Sequence, residues 1–216
     1  MNIERSNEPL SSLTHGLGFF LSVAALVLLT VFASLHGTAW HIVSYALFGT
    51  SLIFLYFAST LFHASSHPRK KAILQRIDHA MIYVLIAGTY TPICLVVLRG
   101  GWGWSLFGVI WGCALLGIIM KFLNVLQHLL FSTLLYLVMG WLVLVAIIPL
   151  LHHMEWFAFL WLLMGGIFYS VGAMFYLFDR SKIKRLFGFH EVFHLFVMAG
   201  SFCHFWLLLF YILPSV

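Results

Sequence analysis

Hydrophobic residues are arranged along the chain in seven long runs separated by short polar segments. Each run is close to the roughly 20 residues that an α-helix needs to cross the hydrocarbon core of a membrane. Lys, Arg, Asp and Glu fall at the ends of these runs or between them, because an unpaired charge in the bilayer centre is costly. The pattern predicts an all-α fold, a seven-transmembrane helix bundle. The predicted spans are approximately Leu13 to Leu35, His41 to Phe62, Ala80 to Leu98, Trp102 to Phe122, Leu129 to Leu150, Trp156 to Phe178 and Val192 to Tyr211.

Composition leads to the same class of protein. Of the 216 residues, 63% are hydrophobic and 8% are charged, and the mean hydropathy is +1.06. These values lie far outside the range of soluble domains. The first hydrophobic run is too long for the core of a signal peptide and no positive cluster precedes it, so we expect a retained span. We find no linker or internal repeat and expect a single transmembrane domain over residues 1–216.

Basic residues give the expected orientation, since cytoplasmic loops collect Lys and Arg. With seven spans, the N-terminus shares one side of the membrane with the second, fourth and sixth loops. Of the 11 Lys and Arg residues, Arg99 is the one that falls on the opposite side. We therefore predict a cytoplasmic N-terminus and an external C-terminus. The net charge of +5 is explained by loops that face anionic lipid, and nucleic acid is not an expected partner.

Four polar residues are expected at the cytoplasmic ends of the spans. His63 ends the second span, Asp78 precedes the third, and His190 and His194 open the seventh. His190 and His194 are four residues apart, so they lie on one face of a helix and can reach one ion. Neutral imidazole suits zinc, and three histidines leave a fourth position for water, the arrangement of a catalytic zinc site. Asp78 could orient that water or take its proton.

Each of these residues also has an ordinary structural interpretation. A histidine at a helix end is often an interfacial hydrogen-bonding group. Asp78 at the start of a helix could be an N-cap that accepts backbone N–H bonds. The run from His190 to His194 also fits H-E-x-x-H, in which the glutamate is the general base of a metalloprotease. Glu191 could instead face the lipid headgroups beside the basic loop from Asp179 to Gly188, and that loop could bind anionic headgroups.

Longer motifs give the chain a family resemblance. The chain resembles the hemolysin III family, within the wider progestin and adipoQ receptor superfamily, over essentially its whole length. The motifs that carry the resemblance are Ser59-Thr60-Leu61-Phe62-His63, Ile77-Asp78-His79, Ala87-Gly88-Thr89-Tyr90-Thr91-Pro92, and His190 through His194 with His204-Phe205.

The resemblance implies a multi-pass protein of the bacterial cytoplasmic (inner) membrane with a Zn²⁺ cofactor near the cytoplasmic face. By resemblance, His63, His190 and His194 would bind the zinc and Asp78 would contact its water. Ser59, one helical turn before His63, matches a serine of a proposed group of membrane hydrolases and would bind or polarise a substrate carbonyl. The resemblance gives Glu191 no support as a base. Where relatives often have asparagine four residues before His15, this chain has Ser11.

Three functional classes follow. The first is a zinc-dependent hydrolase of lipid amide or ester bonds that contributes to membrane homeostasis, with membrane lipids as partners and Asp78 and Ser59 as catalytic residues. The second is a non-enzymatic sensor of membrane state with structural zinc. The third is a pore-forming, hemolysin-like protein, although transporters usually carry polar groups on broken helices near the bilayer midplane.

Overall fold

The computed structural model describes residues 8–125, 128–178 and 188–213. Over these residues the chain is helical and has no strand, and seven helices are long and apolar enough to cross a membrane. The predicted seven-helix bundle is confirmed. The helices are α1 Pro9–His36, α2 Ala39–Ala64, α3 Pro68–Val97, α4 Gly101–Phe122, α5 Leu129–His153, α6 Trp156–Phe178 and α7 Phe189–Ile212. The basic loop expected to meet headgroups falls on residues 179–187, outside the described residues.

The third helix departs from its predicted bounds at its N-terminal end. It begins at Pro68, twelve residues before the predicted start at Ala80, because a proline fits the first helical turn and the basic residues that follow allow helix outside the hydrocarbon. Hydropathy detects only the part of a helix that lies in lipid. Asp78 is therefore well inside α3, where backbone N–H groups are already bonded, and the N-cap interpretation of Asp78 is wrong.

Two tyrosines bond to irregular backbone inside the bundle. In α5 the α-helix ends at Trp141 and a 3₁₀ turn follows over Leu142–Ala146. The Tyr90 hydroxyl donates to carbonyls at this junction and accepts a bond of 2.7 Å from the Val143 N–H. In α7 the Tyr45 hydroxyl donates to the Leu208 carbonyl at 2.6 Å, where a π-helical turn begins. These bonds matter because lipid offers no partner to free backbone groups.

A second π-helical turn follows Pro92 in α3 and covers Ile93–Val97. Proline has no N–H to donate and its ring displaces the preceding turn, which accounts for the change in helix type. Earlier in the same helix, a side chain at Gly88 would collide with Ser51 on α2. The glycine therefore lets α2 and α3 approach closely.

The helices pack around two clusters of buried side chains. One cluster joins α1, α2 and α7 to one face of α3 and includes Tyr45, Phe48 and Leu52. The other joins α4, α5, α6 and Leu207 of α7 to the opposite face of α3 and includes Tyr83 and Ile110. Because α3 and α7 contribute to both clusters, they form the centre of the bundle. The polar residues that the sequence analysis singled out line a cavity beside these central helices.

Candidate metal centre

Three histidines from two helices meet at one end of the bundle. His63 lies at the end of α2, and His190 and His194 lie on the first turns of α7. Each offers one possible ligand atom, and these atoms all lie within 4.8 Å of one another. The ring centroids are 4.7 to 4.9 Å apart. His63 and His194 are each 1% exposed, so this group could hold a metal ion away from bulk water.

Glu8, the residue before α1, makes two hydrogen bonds to His63. The Glu8 backbone N–H donates to the His63 carbonyl at 2.9 Å, and the His63 Nδ1–H donates to Glu8 Oε2 at 2.5 Å. Lys71 donates to the other carboxylate oxygen at 3.1 Å. Burial alone would raise the pKa of Glu8, but the hydrogen bonds and charges of His63 and Lys71 outweigh it and lower the pKa to about 2. Glu8 is thus a carboxylate that orients His63.

Hydrogen bonds also fix which ring nitrogens are available. Thr14 donates its hydroxyl proton to the Ser11 carbonyl at 2.9 Å, so it accepts from His194 Nδ1 at 3.1 Å. His63 and His194 therefore both carry their proton on Nδ1, and each has an Nε2 lone pair to offer a metal. A carboxylate or hydroxyl behind the ring is the usual support of a metal-binding histidine.

One of the nitrogen–nitrogen distances also suits zinc. The Nε2 atoms of His63 and His190 are 3.3 Å apart. Two nitrogens bound at about 2.0–2.1 Å to a tetrahedral zinc ion would be separated by about 3.3 Å. The donor type of all three histidines, the tautomers of His63 and His194, and the spacing of the His63–His190 pair therefore fit a metal ion such as zinc.

The two predicted catalytic side chains lie in the lining of the same cavity as the histidines. Ser59 is one turn before His63 on α2, and Asp78 is buried on α3. Ser59 is also 2.7 Å from Nδ1 of His15, whose ring stacks on His194 at 3.5 Å between centroids. The His15 Nε2 atom is buried and has no hydrogen-bond partner among the described residues. Polar side chains from α1, α2 and α3 thus continue the site beyond the three histidines.

The glutamate of the H-E-x-x-H run has a different environment from Asp78. Glu191 is 9% exposed, so the interpretation that it faces the headgroups is wrong. One carboxylate oxygen accepts from Ser11 at 2.6 Å and the other accepts from the Gly188 N–H at 2.8 Å. The carboxylate closes the first turn of α7 and ties it to α1. Because both carboxylate oxygens of Glu191 already accept hydrogen bonds, a structural role for Glu191 is favoured over that of a general base.

A large cavity extends from the histidines into the bundle. Its volume is about 740 Å³, within the range of small-molecule sites. Asp78, Ser59 and His15 lie in its lining with the three histidines, and the remainder is mostly apolar and aromatic. The apolar lining includes Ile93, Leu137, Val143, Phe159, Leu162 and Leu163. The cavity therefore has one polar end and a long lipophilic part.

From the sequence, His63, His190, His194 and Asp78 were expected to come together and His15 was expected to line the cavity, as it does. The bonds made by Glu8, just before α1, and by Ser11 were not predicted. Glu8, Ser11 and His15 follow one another at intervals of three and four residues, which places them on one face of a helix. A carboxylate, a hydroxyl and an imidazole on the face of an otherwise apolar span were the signal that could have revealed this contribution.

The fold and the site define a class: a seven-helix integral membrane protein with a buried group of histidines at one end of the bundle. The family model described as Haemolysin-III related matches residues 3–205. The chain is 45% identical to Hemolysin-3 of Bacillus cereus over 205 residues, which cover 95% of this chain and 91% of that protein. It is 46% identical to a Hemolysin-3 homolog of Bacillus subtilis (strain 168) over 201 residues, covering 93% and 92%. The chain belongs to the haemolysin-III-related family.

Proposed function

We propose that this protein is a zinc-dependent hydrolase that cleaves an amide or ester bond in a membrane lipid. The observation that carries the proposal is the position of three grouped imidazoles, two of them supported by hydrogen bonds, at the polar end of a lipophilic cavity of about 740 Å³. A lipid chain fits the apolar part of such a cavity, and its carbonyl group then lies among polar side chains. The proposal includes a place in the bacterial cytoplasmic membrane with the N-terminus inside, and a role in membrane homeostasis.

The chemistry is divided between the cofactor and the chain. His63, His190 and His194 would hold the zinc ion, which when bound would supply the Lewis acidity for polarising a carbonyl and acidifying water. Asp78 accepts the proton of the attacking water and returns it to the leaving amine or alcohol when the carbon–nitrogen or carbon–oxygen bond breaks. The Ser59 hydroxyl donates a hydrogen bond to the carbonyl oxygen as negative charge develops there.

Metal content and lipid turnover together test the proposal. Protein purified in detergent should contain about one zinc per chain by mass spectrometry, and it should release a fatty acid from a lipid amide or ester in a reaction that a chelator stops and zinc restores. Zinc without turnover over a panel of lipid amides and esters would favour the sensor with structural zinc. A folded protein that takes up no zinc would rule out the hydrolase.

A second candidate function rests on the names of the relatives, two of which are called Hemolysin-3 or its homolog. In this alternative the chain forms a pore, and the histidines are structural. Dye leakage from liposomes would then rise with the amount of protein and persist in the His63→Ala variant. The hydrolase proposal expects no leakage at protein-to-lipid ratios at which turnover is measurable.

A further inference from the structure

A second cavity of about 420 Å³ lies between α3, α4 and α5. It shares lining residues with the large cavity, among them His79, Tyr136 and Tyr176. Tyr176 bonds to His79 Nε2 at 3.2 Å, and Tyr136 donates to the His79 backbone carbonyl at 3.0 Å. These three side chains form a common wall, so a group in the second cavity would lie next to the site of the proposed hydrolysis.

The second cavity has a cationic lining. Lys121 from the end of α4 and Arg76 from α3 both line it, together with Ser132 and Thr133 from α5. The described residues of its lining include neither Asp nor Glu. Two cations beside hydroxyl groups in a confined space match an anion with several acceptor oxygens, such as a phosphate group.

Lys121 takes an unusual position for a basic residue at the end of a membrane helix. Such a lysine ordinarily extends its ammonium group towards water and the headgroups. Lys121 is instead 9% exposed, and its Nζ donates to Ser132 Oγ at 3.1 Å. A role in topology alone would not require an ammonium group turned into the protein.

We propose that this second cavity binds the phosphate group of an anionic membrane phospholipid through Lys121 and Arg76. The hydroxyls of Ser132 and Thr133 contribute further hydrogen bonds. A lipid is the occupant in preference to a free phosphate ion because Lys121 lies at the end of one membrane-spanning helix and Ser132 lies near the start of the next. Phospholipid headgroups are found at this level of a membrane protein. Phosphate binding here does not depend on zinc or on the proposed hydrolysis.

Binding to the purified full-length protein in a neutral detergent tests this site. The probes are dihexanoylphosphatidylglycerol and dihexanoylglycerol, which has the same acyl chains and no phosphate, and binding is measured by calorimetry. The phosphate-containing lipid should bind about tenfold tighter or more, the equivalent of one charge-assisted hydrogen bond. Lys121→Gln should remove that preference, and Arg76→Gln should weaken it severalfold.

The control is Lys70→Gln, which removes one positive charge from an exposed position on α3 outside the cavity. It should change the affinity by less than about twofold, because an exposed charge is screened by solvent and salt. Arg76 is also exposed, so its variant is expected to fold even if Lys121→Gln does not. Equal binding of the two lipids, or equal losses in Arg76→Gln and Lys70→Gln, would overturn the proposal. Inorganic phosphate that binds through Lys121 while the lipid does not would overturn its lipid part.

Discussion

The two cavities share a wall and differ in chemistry. In the large cavity, His63 and His194 are each held from behind by an oxygen atom, and they share the polar end with carboxylate and hydroxyl groups. In the second cavity, a lysine and an arginine lie beside hydroxyls. Imidazole lone pairs held in a fixed orientation suit a cation, whereas ammonium and guanidinium groups suit an anion.

The difference shows how one bundle can bind ligands of opposite charge, a metal cation and a phosphate anion, in neighbouring cavities. His79 separates the two regions with its side chain and backbone, both of which are engaged by tyrosines. If the two regions are independent, substitutions in one should leave binding in the other unchanged.

The largest effect is expected from removing an imidazole of the metal centre. His190→Ala should reduce the zinc content from about one per chain to near zero, because two remaining histidines bind zinc weakly. Phosphatidylglycerol binding at Lys121 should be unchanged in the same preparation. Metal content is measured by mass spectrometry after gel filtration, together with calorimetry of the lipid.

A matched control is His152→Ala, which removes an exposed imidazole near the end of α5. It should retain both the zinc and the lipid. If His190→Ala keeps its zinc, the group of three histidines is not the metal site. If it loses the lipid as well, the two cavities do not act separately.

The next largest effect concerns proton transfer at Asp78. Asp78→Asn keeps the size of the side chain but removes its ability to accept a proton, so turnover should fall by about 10²- to 10⁴-fold. Zinc content should stay near one per chain, since Asp78 is not among the three grouped ligands. The rate of fatty acid release at saturating lipid is the measurement. Loss of zinc in this variant would show that Asp78 is itself a ligand.

A smaller effect is expected from the carboxylate behind His63. Glu8→Gln still accepts a hydrogen bond from His63 Nδ1 but no longer carries the charge that strengthens that bond. Zinc affinity should fall by about 10- to 100-fold, the usual cost of altering such a support. Competition with a chelating dye measures the affinity, and excess zinc should restore full occupancy.

Glu155→Gln is the control for this variant, because it neutralises an exposed carboxylate in the turn between α5 and α6. Its zinc affinity should equal that of the wild type. An unchanged affinity in Glu8→Gln would mean that the contact orients His63 without affecting metal binding.

The sequence predicted the seven spans well because lipid imposes a length and a polarity on each helix. It failed at the start of α3, where helix continues into a basic segment that hydropathy does not detect. Because the start of α3 was predicted too late in the chain, Asp78 was expected at the start of the helix and not inside it. An N-cap was a reasonable expectation for an aspartate at a helix start, and the longer helix excludes it.

The grouping of the three histidines was also predictable from the sequence in part. Histidines are uncommon in apolar spans, and the i, i+4 spacing of His190 and His194 indicates that both could bind the same metal ion. The hydrogen bonds that hold these side chains in place are harder to predict. Glu8 and His63 are 55 residues apart in the chain, and Ser11 and Glu191 are 180 residues apart. Such contacts depend on which helices become neighbours, and hydrophobic periodicity does not specify that.

The smallest effect on turnover is expected from Glu191, and it separates the two carboxylates of the site. In a zincin-type mechanism Glu191→Gln would lower turnover as far as Asp78→Asn does. Here one carboxylate oxygen accepts from Ser11 and the other from the Gly188 N–H. A glutamine keeps one acceptor oxygen for the Gly188 N–H and loses the other bond, because its NH₂ group only donates. Turnover should therefore change by less than about twofold, while the free energy of unfolding falls by about 1 kcal/mol. Fatty acid release and thermal unfolding in detergent measure the two quantities. A loss of turnover comparable to that of Asp78→Asn, with normal zinc content, would make Glu191 the base and leave Asp78 as a residue that lines the cavity.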